Sequence, residues 1–140
     1  MGSFGGNAMH KKNLSESDIC DKFIRPAMEQ AGWNGMDQIY REYPLRAGRV
    51  VVRGKQAQRD QSTVLRADYA LFFKANIPLA VVEAKDNQHA VGAGMAQAIQ
   101  YAELLGVPFS FASNGDGFVF RDATLADGVL ERNLTLDEFP

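Results

Sequence analysis

Residues Val64–Phe73 and Leu79–Lys85 read VLRADYALFF and LAVVEAK, with Lys74-Ala75-Asn76 between them. Both segments are rich in β-branched, aliphatic and aromatic residues, and the intervening residues have turn chemistry, so the pattern predicts two antiparallel strands joined as a hairpin. Three ionisable side chains interrupt this apolar text: Asp68 in the first strand, Glu83 and Lys85 in the second. Successive strand residues point to opposite faces, so Glu83 and Lys85 share one face while Val82 and Ala84 take the other. With Asp68 opposite them, two carboxylates and an ammonium converge at a sheet edge.

Such a group has two chemical readings. A hard cation such as Mg²⁺ takes oxygen ligands, keeps several waters and often uses only one or two protein carboxylates plus substrate phosphate oxygens. Asp68 and Glu83 suit it, with the Ala84 carbonyl between Glu83 and Lys85. A cation there polarises a phosphodiester and acidifies a bound water, while Lys85 orients the attacking water and stabilises the charge of the pentacovalent state. The other reading is a strand-end ion pair of Glu83 with Lys85 or Asp68, with no catalytic role.

Upstream, Asn13–Glu16 and Ser15–Asp18 both have capping-box spacing, and Ile19, Phe23, Ala27 and Met28 follow at helical intervals, predicting a first helix to about Ala31 that Gly32 ends. Gln38–Leu45 alternates imperfectly, whereas Gly48–Arg53 is a β-branched run suited to a strand. Downstream, Met95, Ile99, Ala102 and Leu105 mark a second helix from about Gln88, closing on Gly106. Val107–Ala112 reads as a buried strand, and SNGDG before Phe118-Val119-Phe120 supplies a hairpin signal. The order α-β-β-β-α-β-β predicts an α/β domain with a mixed central β-sheet flanked by helices, the strand–helix–strand crossover making one pair parallel.

The chain has 140 residues, 46% of them hydrophobic and 23% charged, enough for one domain with its own core. No apolar run is long enough to span a bilayer, which with the absence of a signal-peptide pattern predicts a cytoplasmic protein without membrane partners. Residues 1–12 read as a vector-derived scar or disordered terminus, and 125–140 as an acidic linker. The lone Cys20 makes neither an internal disulfide nor a zinc site. Net charge is −2, but Arg41–Arg66 holds seven basic residues against two acids, a balance of +5, leaving −7 for the rest. A basic stretch of this kind, including Arg49, Arg53, Lys55, Arg59 and Arg66, suits a polyanion such as double-stranded DNA, or equally a solvated loop.

An Asp, fourteen intervening residues and then Glu-x-Lys on an apolar strand, followed by a helix and a strand, resembles the PD-(D/E)xK nuclease core, with Ala67 in place of the usual proline. Gln97-Ala98-Ile99-Gln100-Tyr101 resembles the Q-x-x-x-Y motif that accompanies this core in the motor (R) subunit of type I restriction-modification enzymes. LRADYALF, IPLAVVEAKD and QAIQYAELLGVPFSFASNGDGFVF agree with that subunit's N-terminal domain, over roughly residues 14–124. The resemblance implies a restriction-endonuclease-like αβββαβ core over 13–124 and a Mg²⁺-dependent endonuclease that reads no bases itself. It implies Asp68 and Glu83 as metal ligands, Lys85 as the catalytic lysine, and Gln97 and Tyr101 as supporting or DNA-contacting residues. Glu16 is a further acidic candidate, though its position also suits helix capping, and His89 reads as a surface or capping residue. With no G-x-x-x-x-G-K-[ST] loop, ATP belongs to motor domains outside this chain. Its partners would be those domains and the modification and specificity subunits. The alternatives are a stand-alone repair or junction nuclease of the same fold, or a catalytically silent DNA-binding or assembly module.

Overall fold

The computed structural model describes residues 11–45, 65–125, 128 and 130–140. The first helix, α1, runs as three consecutive segments, Glu16–Ile19, Cys20–Ile24 and Arg25–Gln30. Ser15 caps it: its hydroxyl accepts from the Asp18 amide at 3.0 Å, and the Asp18 carboxylate accepts from the Ser15 amide at 3.3 Å. Glu16 therefore sits inside the helix rather than in a box with Asn13. The middle segment is a π turn, the Arg25 amide reaching back to the Cys20 carbonyl. Pro26 accounts for it, because its ring clashes with the carbonyl four residues back and it has no N–H to donate.

Six strands follow in one sheet, ordered β1 to β6: Ile39–Leu45, Leu65–Lys74, Ile77–Ala84, Phe109–Ser113, Phe118–Asp122 and Leu130–Leu134. β3 and β4 are parallel and every other pair is antiparallel. The second helix, α2, spans Met95–Leu105 and supplies the crossover between β3 and β4. The expected hairpin of VLRADYALFF with LAVVEAK is present as β2–β3.

Each sheet face buries its own core. Ile19, Ile24 and Met28 of α1 pack on Tyr69, Leu71, Val82, Phe111 and Phe118. Met95, Ala98 and Tyr101 of α2 pack on Ala67, Val81 and Ala112. The result is a three-layer arrangement with both helices covering the centre of the sheet, where the β3–β4 pair is parallel and needs apolar cover on both sides.

Several sequence expectations need correction. The strand expected over Gly48–Arg53 lies outside the described residues, and the first observed strand is instead Ile39–Leu45. Its alternation is imperfect because Glu42 has φ +52°, a left-handed conformation in mid-strand, and Pro44 is tolerated because β1 is an edge strand. α2 starts at Met95, not near Gln88, because the Asp86 carboxylate accepts from the Gln88 amide in a local turn that competes with helix, while the Asn87 side chain is drawn away to the Asn114 carbonyl. Within 1–12, Lys11 and Lys12 are placed: Lys11 Nζ lies 2.9 Å from Asp116, and Lys12 Nζ donates to the Asn87 carbonyl at 3.3 Å. The 125–140 segment forms β6 and a 3₁₀ turn, Leu136–Glu138, that returns Phe139 to the core. The Phe139 ring stacks 4.5 Å from Phe111 and 4.8 Å from Phe118. Among the described residues no helix is long and apolar enough to cross a membrane.

Candidate active site

The paired positions of β2 and β3 stop at Tyr69↔Val82. One residue further on, side chains replace the ladder. The Asp68 amide donates to Glu83 Oε2 at 2.8 Å, and the Ala84 amide donates to Asp68 Oδ2 at 2.8 Å. β3 meanwhile stays paired to β4 through Glu83↔Ala112 and Ala84↔Ser113. The two strands thus separate around their own carboxylates, which occupy the place of main-chain partners.

This placement sets the electrostatics. Glu83 is 3% exposed. Burial first, and the Asp68 carboxylate second, push its carboxyl up from 4.5 to about 8, against the opposing hydrogen bond from the Asp68 amide. Each carboxylate commits one oxygen to an amide. Two hard oxygens from two acids fit a Mg²⁺-type cation that keeps most of its waters. Among the described residues no group of three or more His, Cys, Asp or Glu side chains has metal-binding geometry, so any such centre rests on this pair.

Lys85 follows β3, its amide donating to the Ser113 carbonyl at 2.9 Å. Its ammonium makes no ion pair among the described residues, which disfavours the expected Glu83–Lys85 strand-end pair. Gly94, just before α2, confirms that Glu83 and Lys85 share a face: a Cβ placed there would lie 3.5 Å from Glu83 Cβ and 3.7 Å from Lys85 Cγ. Across α2, Gln97 Nε2 donates to the Tyr101 hydroxyl at 2.9 Å. Tyr101 packs with Val81 on the α2 side of the sheet, and burial and then the Glu83 and Asp68 carboxylates hold its hydroxyl above its usual value. Five of the expected residues, Asp68, Glu83, Lys85, Gln97 and Tyr101, therefore form one neighbourhood.

Glu16 adjoins them from α1. Its side chain is exposed, yet partial desolvation and then the Asp68 carboxylate hold its carboxyl above the usual value, with Lys85 and Arg41 opposing. His89 does not: its Nδ1 lies 2.9 Å from Asp86 Oδ1 in the turn after β3. Arg66 is exposed on β2, opposite Pro44, while Arg49, Arg53, Lys55 and Arg59 lie outside the described residues. Cys20 is buried, which pushes its thiol up to about 12 and leaves it no nucleophilic role. Two neighbours were not singled out from sequence: Gly94, whose signal was the VGAGM glycine pair before the helix, and Arg41, which looked like any other member of the basic stretch.

The mixed sheet, its crossover helix and the acid pair where β2 leaves β3 define a restriction-endonuclease-like α/β domain. Residues 52–128, just over half of the chain, match the family described as type I restriction enzyme R protein N terminus, and the chain belongs to that family. It is 55% identical over 133 residues to the type I restriction enzyme EcoAI endonuclease subunit of Escherichia coli, a match covering 94% of this chain and 16% of that subunit. A solved fragment described as an HsdR subunit of a type I restriction enzyme from Vibrio vulnificus YJ016 superposes with a TM-score of 0.69 at 36% identity, covering 91% of this chain and 24% of that one. The chain thus spans less than a quarter of the proteins it matches.

Proposed function

We propose that this domain is a Mg²⁺-dependent endonuclease that hydrolyses DNA phosphodiester bonds without reading base sequence. It would act within a type I restriction R subunit, beside motor domains and with the modification and specificity subunits. The observation that carries this reading is the cross-bonded Asp68–Glu83 pair with Lys85 next to it on the same face. Asp68 and Glu83 would hold the cation, which when bound polarises the phosphodiester and acidifies a coordinated water. Lys85, without a carboxylate partner among the described residues, orients the attacking water and offsets the charge that builds on the phosphoryl oxygens as the new P–O bond forms and the ester P–O bond breaks. Tyr101, fixed by Gln97, supports the site from the α2 side. Glu16 adds negative potential from α1.

The experiment is Lys85→Ala in the assembled R subunit, scoring DNA cleavage, ATP hydrolysis and thermal melting. Loss of cleavage with the other two unchanged is expected. Retained cleavage contradicts the reading.

A further inference from the structure

Arg41 stands beside the acid pair on β1, and nothing in the site so far uses it. Its guanidinium lies 5.3 Å over the ring of Tyr69, which is fully buried and anchored by its hydroxyl to the Cys20 carbonyl at 3.2 Å. A rigid ring beneath a planar cation fixes its height and tilt. Among the described residues its polar partners are the Asp68 carbonyl and the Glu42 carboxylate, both through the same nitrogen and both at 3.5 Å. Well-formed contacts from arginine to an anion are closer to ~2.8 Å. The side chain is 28% exposed. It is therefore held in place but under-bonded, as a group awaiting another ligand would be.

The backbone supports the same view. Arg41↔Tyr69 and Tyr43↔Ala67 are paired across β1 and β2, while the position between them, Glu42 opposite Asp68, is not, and Glu42 carries the φ of +52°. A non-glycine residue in that region is strained, and such strain concentrates where a site needs a side chain re-aimed. The charge balance gives the ligand its class. Among the described residues Glu16, Asp68, Glu83 and Asp86 gather here against Lys85 and Arg41, so a polyanion approaching the carboxylates needs a cation fixed beside them.

We propose that Arg41 is a phosphate-binding residue that clamps a DNA backbone phosphate next to the Asp68–Glu83 pair. The inference rests on the nuclease reading above. A planar fork of N–H donors matches phosphate oxygens, and a phosphate at ordinary distance outcompetes the two long contacts Arg41 makes now.

The test is equilibrium binding to a DNA duplex over about 50 to 200 mM salt, with Ca²⁺ in place of Mg²⁺, for the wild type, Arg41→Ala, Arg41→Gln, Arg41→Lys and Arg132→Ala. Arg132 is the control, another arginine over an aromatic ring, 5.8 Å from the Phe120 centroid at the far side of the sheet. Arg41→Ala and Arg41→Gln are expected to flatten the slope of log affinity against log salt by about 0.9, one phosphate contact, whereas Arg41→Lys and Arg132→Ala keep it. Glutamine can still donate to the Asp68 carbonyl, so a wild-type slope in Arg41→Gln overturns the proposal in favour of a structural role. Equal flattening by Arg132→Ala overturns it as a general charge effect, and so does a wild type whose duplex affinity ignores salt. Melting curves identify any variant that fails to fold, and if Arg41→Ala does, the Gln and Lys variants decide. Mn²⁺ titration of the same wild-type sample keeps the two readings apart: absent binding counts against the nuclease reading, intact binding with an unchanged slope against Arg41 alone.

Discussion

Asp68 and Glu83 hold each other through the main chain: the Asp68 amide donates to Glu83, and the amide after Glu83 donates to Asp68, both at 2.8 Å. The carboxylates are structural members of the sheet as well as candidate ligands, so truncation and neutralisation have different consequences. Asp68→Ala strands the Ala84 amide without its acceptor and is expected to cost about 1–3 kcal/mol, whereas Asp68→Asn retains an acceptor and costs less. Chemical denaturation of the two variants measures the difference. Equal stabilities would show that the Ala84 bond contributes little.

Glu83 makes stability depend on pH in a defined direction. Its folded carboxyl titrates near 8 against an ordinary 4.5, so the folded state binds the proton more tightly than the unfolded chain. This contribution is fully present below about 4.5 and is lost as pH rises towards 8. Melting temperature is expected to fall across that window in wild type and to fall less in Glu83→Gln, measured without divalent cation. Parallel profiles would show that Glu83 ionises normally.

Removing the Tyr101 hydroxyl with Tyr101→Phe deletes its bond from Gln97, with an expected cost of about 1 kcal/mol or less. Cleavage is expected to fall by more than this stability loss explains, because Gln97 and Tyr101 support the acid pair from α2. Equal activity at matched folded fractions would reduce Tyr101 to a packing residue.

Phe139 is 5% exposed and stacked on Phe111 and Phe118. Phe139→Ala is expected to destabilise the domain by about 3 kcal/mol, the cost of an aromatic-sized cavity. A loss under about 1 kcal/mol in urea unfolding would mean that the C-terminal turn is peripheral.

The contrast between Phe139 and Glu83 shows what sequence could reveal. β2, β3 and the α2 crossover were legible because their apolar residues keep one period and Asp68, Glu83 and Lys85 interrupt it. The C-terminal segment hid its role because one buried aromatic among Asp137, Glu138 and Pro140 leaves no period to read. β1 was misplaced because the positive φ at Glu42 breaks the alternation, while the Gly48–Arg53 run looked more regular. α2 is shorter than its sequence suggests because Gln88–Ala93 contains residues that helices tolerate, while the Asp86 carboxylate and carbonyl, accepting from the Gln88 and His89 amides, turn the backbone there. Asp68, Glu83 and Lys85 are candidates from strand alternation, whereas Gln97 and Tyr101 are implied by the resemblance to the Q-x-x-x-Y motif, with which their i, i+4 spacing agrees. Arg41 could be read from neither, since its importance depends on Tyr69 across the strand pair.

The most direct measurement is calorimetric titration of the domain with Mg²⁺ or Mn²⁺ at pH 7, repeated in buffers of different ionisation enthalpy to count protons. Glu83, protonated near neutrality, must ionise to act as a ligand, so the expected result is one cation bound with release of about one proton, and no binding in Asp68→Asn or Glu83→Gln. Wild-type affinity in either variant would contradict the assignment of this pair as the metal site, whereas binding with no proton released would show that Glu83 is already ionised at neutrality.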